Sequence, residues 1–452
     1  MKKSVFLIIA TAILSFGFFQ EKIDVELREI IQQKKLVPIQ KAEKINPAKI
    51  ELGRLLFFDK LLSGNKDVSC ATCHHPGLKS GDSLALSIGV GGSGLGKNRR
   101  MGKNRLRIPR NSPEIFNRGA DEWHTMFWDG RVALSEEEGF VNPADEKLPE
   151  GLDNVLAAQA MFPVLSADEM RGRISDRDID GQLNDLALMS PAAPQSIWRA
   201  LIKRILQFEE YRALFAEVYP EIPSTKLGFQ HAANAIAAFE TEAFTFTNSP
   251  WDRYLSGYDQ SLSKLAKRGA LLFYGKANCS SCHSGNLMTD QQFHNIAIPQ
   301  FGPGKGNGKP FDLGRYAETG RPDDRFAFRT PPLRNVALTG PWMHNGAYNS
   351  LEETILHHLN PEEYLRNYDP SHLEESLQDT YRGDDRTLHM ILETLDEETR
   401  GLIKPSKSEI SAIVHFLKSL TDSTATKLKH LVPKKVPSGL PVDIIKNANK
   451  NY

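Results

Sequence analysis

The chain has 452 residues, 40% of them hydrophobic, and its 56 basic and 56 acidic residues give a formal charge of zero. This length predicts two domains, or three at most, and the composition excludes a disordered chain. A nucleic-acid-binding protein would be expected to carry a basic excess, so that class is disfavoured. A neutral total still permits local charged patches that dock a protein partner.

Residues 1–22 have the pattern of a secretory signal peptide. Residues 1–3 form a short basic start, and residues 5–19 are almost all apolar. The run is too short for a comfortable membrane span. Residues 15–17 match a cleavage site poorly, so an uncleaved N-terminal anchor stays open as the alternative. We predict a periplasmic protein with no transmembrane segment beyond this possible anchor and no nucleic-acid partner.

All four cysteines belong to two copies of one motif, Cys-x-x-Cys-His. The first haem site is defined by Cys70, Cys73 and His74, and the second haem site by Cys279, Cys282 and His283. Two thiols at this spacing can attach one haem covalently, and the next histidine can ligate its iron. A zinc site shared by four thiolates, redox-active pairs and disulfides remain as alternatives, but they leave both histidines unexplained. The motifs therefore predict two covalently bound haem c groups.

A weak internal repeat accompanies the two motifs. An apolar segment with one glycine precedes each of them, at residues 52–58 and 268–274, where glycine permits close backbone approach and the apolar side chains can wall a porphyrin. Few segments alternate as strands. Helical periodicity is clear over residues 195–219, 231–245, 262–274, 351–359 and 406–420. We therefore predict a mainly α protein with two cytochrome c-like haem domains and long irregular loops.

The predicted domain limits follow the positions of the two motifs. Ser-Pro, Gly and Ser-Leu-Ser interrupt the helical pattern over residues 248–263, where we place the boundary. The prediction is a signal peptide at 1–22, an N-terminal haem domain at 23–250, a C-terminal haem domain at 251–425 and a surface tail at 426–452.

From about residue 47 to residue 418, the chain resembles the bacterial dihaem cytochrome c peroxidases and their MauG-type relatives, which modify tryptophan in partner proteins. Several motifs in the same order carry this resemblance across most of the chain. They lie at residues 52–59, 110–113, 127–131, 330–339, 341–346 and 350–353.

The resemblance implies roles for four residues near the first haem site. Trp128 matches the tryptophan placed between the two haems for electron transfer, and Glu169 resembles the acid that handles the protons of peroxide. Gln159 and Pro163 keep the family's spacing before that acid, as residues of the distal pocket. An insertion between residues 131 and 159 weakens the alignment of Gln159 and Glu169.

The resemblance also implies a calcium ion at the domain junction. Asn111, Thr339 and Pro341 match its ligands, with Thr339 and Pro341 offering backbone carbonyl oxygens, which suit a hard cation.

The loop after the first motif departs from the family. Many family peroxidases carry a histidine there that caps the iron until the enzyme is reduced, whereas this chain has Val90. No histidine lies between His75 and His124. We therefore expect the first haem to be open to peroxide, with His124 as the alternative sixth ligand.

The sixth ligand of the second haem is the other departure. The family places a methionine or a tyrosine shortly after Ser-Leu-Glu-Glu, but this chain has two histidines there. Spacing from His344 puts His358 at the ligand position, with His357 as the fallback. Ligation by His283 and His358 predicts a lower potential than ligation by histidine and methionine. Surface histidines without a ligand role are the remaining alternative.

The resemblance implies a peroxidase that reduces hydrogen peroxide at the N-terminal haem, using electrons relayed through the C-terminal haem. Its electron donor would be a small cytochrome c or a cupredoxin. One alternative is a MauG-type enzyme that uses peroxide to oxidise a residue of a partner protein. A non-enzymatic dihaem electron-transfer cytochrome is the other.

Overall fold

The computed structural model describes residues 22–41, 43–306, 309–399 and 404–445. The predicted signal peptide, residues 1–22, lies outside this part except for its last residue, and none of the described helices is long and apolar enough to cross a bilayer. The described α-helices, in chain order, are α1 Lys22–Gln33, α2 Pro47–Phe58, α3 Cys70–Cys73, α4 Val155–Ala160, α5 Pro194–Ile205, α6 Glu209–Val218, α7 Phe229–Phe244, α8 Pro250–Leu255, α9 Lys264–Tyr274, α10 Tyr316–Thr319, α11 Leu351–Leu359, α12 Pro361–Arg366, α13 Glu375–Gln378, α14 Asp385–Leu392 and α15 Lys407–Ser419.

Strands are short and lie between the helices. The pairing is antiparallel throughout, in one sheet of order β1-β2-β3 and one of order β4-β5. The described strands are β1 Thr125–Met126, β2 Val132–Ser135, β3 Gly139–Val141, β4 Phe293–His294 and β5 Phe328–Arg329. The predicted mainly α class with long irregular loops is therefore confirmed.

The predicted helical segments are present, with one break. Residues 195–219 form two helices, α5 and α6, because Phe208 adopts an extended backbone (ψ 125°) between them. The other four segments correspond to α7, α9, α11 and α15, with ends that differ by a few residues from the pattern.

The internal repeat corresponds to two equivalent helix pairs, α2 with α7 and α9 with α15. The helices that precede the motifs begin at side-chain caps, since Asn46 accepts a hydrogen bond from the amide of Ala48 and Ser263 accepts one from the amide of Ala266. Phe57 contacts Phe239 in the first pair at a ring-centre distance of 5.3 Å. Phe273 and Phe416 make the corresponding contact in the second pair, also at 5.3 Å.

A glycine sets the separation within each pair. A Cβ atom on Gly53 would lie 1.8 Å from the carbonyl oxygen of Ala235, and one on Gly269 would lie 2.0 Å from that of Ala412. Each glycine lies four residues before its phenylalanine, so both pairs use the same face of the helix. Glycine costs a helix about 1 kcal/mol relative to alanine. Its presence here is explained by the close approach that no larger residue allows.

The hydrophobic core is divided between two main clusters. The larger one surrounds α2 and α7, and the second surrounds α9 and α15. The first described segment of the chain packs on the second cluster, and the last described segment packs on the first. Leu27 and Ile31 of α1 belong to the second cluster, whereas Leu428 and Val436 near the C-terminus belong to the first.

This exchange differs from the predicted domain limits. The limits put the segment after residue 22 in the N-terminal domain, but its buried Asp24 pairs with Lys267 of α9 at 2.7 Å and accepts a hydrogen bond from Tyr254. The described part of the tail predicted over 426–452 lies against the first cluster, where Ser438 donates to Asp59. The segment after residue 22 therefore packs on the C-terminal half, and the tail packs on the N-terminal half, because sequence proximity does not determine which buried surface a terminal segment covers.

We expect substitution of Gly269 by alanine to destabilise the protein by about 3 kcal/mol, because the new methyl group would overlap a backbone oxygen that cannot rotate away. Urea unfolding followed by far-ultraviolet circular dichroism measures this change. Arg268→Ala, an exposed neighbour on the same helix, is the control and should stay within about 0.5 kcal/mol of the parent. Equal stability of the two variants would contradict the proposed close approach.

Candidate haem sites and peroxide pocket

The first haem site is built on a single helical turn, α3. Ser69 precedes it, and its amide donates to the hydroxyl oxygen of Thr72 at 2.9 Å. His74 follows the turn with Nδ1 3.2 Å from the carbonyl oxygen of Ser80, which leaves Nε2 available. Burial lowers the pKa of His74 to about 4. The imidazole is therefore neutral, which is the form that ligates a metal.

The C-terminal tail supports this turn from outside. The hydroxyl of Thr72 donates to the carboxylate of Asp443 at 2.5 Å, and the Nε2 atom of His75 lies 3.1 Å from the carbonyl oxygen of Asp443. Lys60 pairs with the same carboxylate at 2.7 Å. A residue far along the chain thus ties the attachment turn to its surroundings.

The second haem site places the rings of two histidines opposite each other. The ring centres of His283 and His358 are 6.1 Å apart. Nδ1 of His283 lies 3.2 Å from the carbonyl oxygen of Met288, and Nδ1 of His358 lies 2.8 Å from that of Thr354. A metal bound at about 2 Å by Nε2 of each ring would separate the ring centres by about 6 Å. The pair therefore fits axial ligation of one haem.

His357 has the opposite environment, although it is the next residue. Its side chain is fully buried, its Nδ1 is 2.8 Å from the hydroxyl of Tyr348, and its Nε2 is 2.7 Å from the carbonyl oxygen of Ile296. Both ring nitrogens are therefore engaged by protein groups. The geometry favours His358 over the fallback His357.

The alternatives to haem attachment find no support in the described part of the chain. Cys70, Cys73, Cys279 and Cys282 are all free thiols, so no disulfide joins them. A group of metal-binding side chains forms around Cys282, with Asp290 and His294, and it includes no thiol of the first motif. The four thiols thus do not converge on one zinc site, and each pair remains available to its own haem.

A cavity of about 980 Å³ lies over the first haem site, a volume at the upper end of the usual range for ligand pockets. Cys70, Cys73 and His74 line it together with the four residues predicted to act there. Those four are Trp128, Gln159, Pro163 and Glu169. The structure thus brings all the predicted distal residues to the predicted attachment site.

Glu169 lies in a single π-helical turn, Ala167–Arg171, a backbone form that is frequent at functional sites. Burial raises the pKa of its carboxyl group, and the positive charge of Arg131 opposes the rise. Its neighbour Asp168 differs, since that carboxylate pairs with Arg173 at 2.8 Å and is about a third exposed. Of the two acids, Glu169 is the one whose environment suits proton transfer inside the cavity.

The loop that carries Val90 packs directly on the Glu169 turn. The amide of Val90 donates to the carbonyl oxygens of Asp168 and Glu169 at 3.2 and 3.1 Å, and the valine side chain is buried in the first cluster. His74 is the one histidine among the described residues that line the cavity. His124 is exposed, with Nδ1 3.2 Å from the carbonyl oxygen of Glu122. The alternative of His124 as the sixth ligand is therefore not supported.

Trp128 lies where the two halves meet. Its indole nitrogen donates to the carbonyl oxygen of Asn111 at 3.0 Å, and its own carbonyl accepts from the amide of Arg329 in the C-terminal half at 2.8 Å. The indole is nearly fully buried. These contacts hold the ring in one orientation at the junction.

The predicted calcium ligands lie in adjoining segments. The amide of Asn111 donates to the carbonyl oxygen of His344, three residues after Pro341, at 2.7 Å. The side-chain amide of Asn111 donates to Leu84, and the hydroxyl of Thr339 donates to Val336. The backbone carbonyls of Thr339 and Pro341 remain the predicted ligands, and the calcium ion stays a prediction.

Sequence reasoning missed a buried acid in the same cavity, Glu240 of α7. Burial raises its pKa to about 8, with the charge of Arg118 opposing the rise. Arg118 also pairs with Glu114 and lies over the ring of Trp123, 4.1 Å from its centre. An acidic residue within the apolar stretch of residues 235–241 was the available signal, but only the fold shows that this side chain lines the cavity.

We expect His358→Ala to convert the second haem from low spin to high spin, because it removes the nitrogen facing His283. Electron paramagnetic resonance of the oxidised protein measures the change. Replacement of the neighbour, His357→Gln, is the matched control and should keep the low-spin signal, since its nitrogens already contact Tyr348 and Ile296. A low-spin signal that survives in His358→Ala but disappears in His357→Gln would contradict the assignment.

The shifted pKa of Glu240 predicts a pH-dependent stability. The folded state binds this proton more tightly than the unfolded state, whose pKa is near 4.5. The contribution is therefore complete below pH 4.5 and is lost as the pH rises to about 8, by at most about 1.4 kcal/mol per pH unit.

Chemical unfolding across this pH range should show the decline in the parent and in Glu242→Gln, an exposed acid of the same helix. Glu240→Gln should lack this part of the slope. If all three proteins gave the same pH profile, Glu240 would not be the group responsible.

Comparison with known proteins agrees with this site. The family model for di-haem cytochrome c peroxidase matches residues 47–260. The methylamine utilization protein MauG of Methylorubrum extorquens is 30% identical over 324 residues, covering 72% of each chain. Cytochrome c551 peroxidase of Pseudomonas aeruginosa is 29% identical, covering 70% of this chain and 72% of its own.

Solved structures share the architecture. A MauG-like protein associated with microbial copper homeostasis superposes with a TM-score of 0.58 at 28% identity, covering 87% of this chain and 95% of that protein. The diheme peroxidase BthA of Burkholderia thailandensis gives 0.57 at 20% identity and supports the fold alone, over 86% of this chain and 93% of its own. These findings confirm an oxidoreductase of the peroxidase type with two haem c groups. The chain therefore belongs to the di-haem cytochrome c peroxidase family that includes MauG.

Proposed function

We propose that this peroxidase is periplasmic and divides its work unequally between its two haem sites. Hydrogen peroxide reacts at the first haem site, and electrons pass through the second. The observation that carries this proposal is the difference between the two axial positions. The ring centres of His283 and His358 are 6.1 Å apart, whereas the cavity over His74 contains no second histidine among the described residues.

Glu169 is the proton carrier of the first site. Haem c, when bound, supplies the redox chemistry that cleaves the O–O bond. The carboxylate of Glu169 accepts a proton from the oxygen nearer to His74 and returns it to the farther oxygen, which leaves as water. Burial raises its pKa, which makes the carboxyl group a better proton acceptor than an exposed glutamate. Gln159 and Pro163 shape the cavity around the bound peroxide.

Trp128 connects the two sites. Its indole is nearly fully buried, and its backbone is hydrogen-bonded to Arg329 of the other half. A ring held in this way changes little in position during electron transfer. The partly buried pair of His283 and His358 would hold a haem from both sides, and such closed ligation would suit electron transfer rather than peroxide binding.

The remaining assignments follow from the family. A calcium ion bound by Asn111, Thr339 and Pro341 would tie the two halves together through hard oxygen ligands. Export fits the c-type attachment and the apolar N-terminal segment. A small cytochrome c or a cupredoxin would be the electron donor.

A second candidate function is peroxide-driven oxidation of a residue in a partner protein. Two observations favour it over a simple peroxidase. Val90 replaces a capping histidine, and His358 replaces the methionine of many family peroxidases. The sequence identity to MauG, 30%, is close to the 29% identity to cytochrome c551 peroxidase. Steady peroxide turnover with a reduced small cytochrome c supports the peroxidase. Consumption of peroxide with a stoichiometric mass change in a partner protein supports the modifying enzyme.

We expect Glu169→Gln to lower the rate of peroxide consumption by about 100-fold or more, because one positioned acid–base group contributes at least that much. Stopped-flow absorption of the haem bands after peroxide addition measures the rate. Asp168→Asn is the matched control and should retain most of the rate, since that carboxylate is already paired with Arg173.

Two results would overturn this proposal. Haem spectra that do not respond to peroxide in the parent protein would leave the non-enzymatic electron-transfer cytochrome as the function. Two low-spin haems in the resting oxidised protein would contradict the open first site.

A further inference from the structure

Among the described residues that line the cavity over the first haem site, three arginines are buried. Arg110, Arg118 and Arg329 are 6%, 5% and 2% exposed. An arginine keeps its positive charge inside a protein, so a buried guanidinium group needs an anion nearby. Arg110 has two, since it pairs with Asp129 at 2.7 Å and with Asp312 at 2.6 Å. The other two arginines have less negative charge around them.

Among the described residues, Glu114 is the one acid hydrogen-bonded to Arg118 or Arg329. Nη2 of Arg118 donates to the carboxylate of Glu114 at 2.5 Å. Burial raises the pKa of Glu114, and the positive charges of Arg118 and Arg329 both oppose the rise. The guanidinium group of Arg329 donates to the uncharged carbonyl oxygens of Phe127 and Thr330, both at 3.0 Å. One carboxylate thus stands against two buried positive charges.

Other acids near this pair do not supply the missing charge. Glu240 acts on Arg118, but burial raises its pKa to about 8, so its carboxyl group is protonated at neutral pH. Asp129 and Asp290 act on Arg329, but each is already paired with other cations. Burial and the positive charge of Arg118 lower the pKa of Arg329 to about 9. This is the direction expected for a buried cation beside a like charge.

The pair also has an unused hydrogen-bond donor. Nη1 of Arg118 is buried and has no hydrogen-bond partner among the described residues. An unpaired charged donor in a protein interior is costly. The guanidinium carbons of Arg118 and Arg329 lie 4.1 and 5.1 Å from the ring centre of Trp123. The two guanidinium groups therefore lie against one aromatic ring, beside the same cavity.

We propose that Arg118 and Arg329 bind a carboxylate side chain of the first haem. Haem carries its negative charge on carboxylate side chains, and attachment to Cys70 and Cys73 places it in the cavity that both arginines line. Together with Glu114, one such carboxylate balances the two guanidinium charges. Guanidinium groups suit this role because they can donate two parallel hydrogen bonds to a carboxylate. The binding requires only that the first haem is attached, whichever haem reacts with peroxide.

Arg329 makes this a site that the two halves of the protein share. It lies in β5 of the C-terminal half, and its amide donates to the carbonyl oxygen of Trp128 at 2.8 Å. Arg118 and the attachment turn belong to the N-terminal half. The first haem is therefore attached to one half and bound by a side chain of the other, and it stabilises the junction at which Trp128 lies.

The test is infrared spectroscopy of the holoprotein with haem whose carboxyl carbons carry a stable heavy isotope, so that the bands of the haem carboxylates can be identified. We expect a labelled carboxylate band to change frequency in Arg118→Gln and in Arg329→Gln, because each variant removes guanidinium hydrogen bonds. Arg107→Gln is the matched control. Arg107 also lines the cavity, but it pairs with Glu374, so this variant should keep the bands of the parent.

A crystal structure of the parent holoprotein provides a second measurement that needs no variant, so it stands even if Arg118→Gln folds poorly. We expect a carboxylate oxygen of the first haem within about 3 Å of Nη1 of Arg118, and a second contact with the guanidinium group of Arg329. Water or an unattached anion at Nη1 of Arg118 would overturn the proposal. Labelled bands that stay unchanged in either of the two variants would also overturn it.

Discussion

Close contact between a helical glycine and a backbone carbonyl determines how both halves of this protein are built. Gly53 lies against Ala235, and Gly269 lies against Ala412, in helix pairs that repeat the same phenylalanine contact four residues later. In the first pair, Phe229, Ile236 and Glu240 of α7 line the cavity over the first haem site. Each motif follows its glycine-bearing helix in the chain. The position of each helix pair therefore also determines the position of the attachment turn.

The two halves share the same helix pair but differ in the segments around it. The loop after the first motif packs Val90 against the Glu169 turn, and Glu169 lines the cavity over the first haem site. In the second half, α11 directs His358 at His283. An open site beside an acid can bind a small oxidant, whereas a closed pair can only exchange electrons. The proposed difference between the two sites thus depends on a loop in the first half and on helix α11 in the second.

Two adjacent residues of α11 have different surroundings because they lie on different sides of the helix. His357 and His358 point to different sides of one helix, since neighbouring positions are about 100° apart. One side faces the carbonyl of Ile296 and the phenol of Tyr348, and the other faces His283. The same turn therefore carries one histidine that faces His283 and one whose two ring nitrogens contact protein groups.

Much of this protein could be read from residue types and spacing. The two Cys-x-x-Cys-His motifs, the helices that precede them and the mainly α class depend on short stretches of chain, where spacing alone limits the chemistry. The distal residues Gln159, Pro163 and Glu169 were found through resemblance to a family, since nothing local marks a carboxylate as part of a pocket. Glu240 was missed for the same reason.

The sequence by itself determined the two Cys-x-x-Cys-His motifs, which predict the attachment of two haems, and the absence of a histidine from the loop after the first motif. Only the tertiary structure decided which histidine of the pair at 357 and 358 faces His283, and that the two ends of the chain cover opposite halves. It also brought Glu169 and Glu240 into one cavity. The physical reason is that covalent attachment depends on residues a few positions apart. Ligand choice, burial and pKa depend instead on groups brought together from distant parts of the chain.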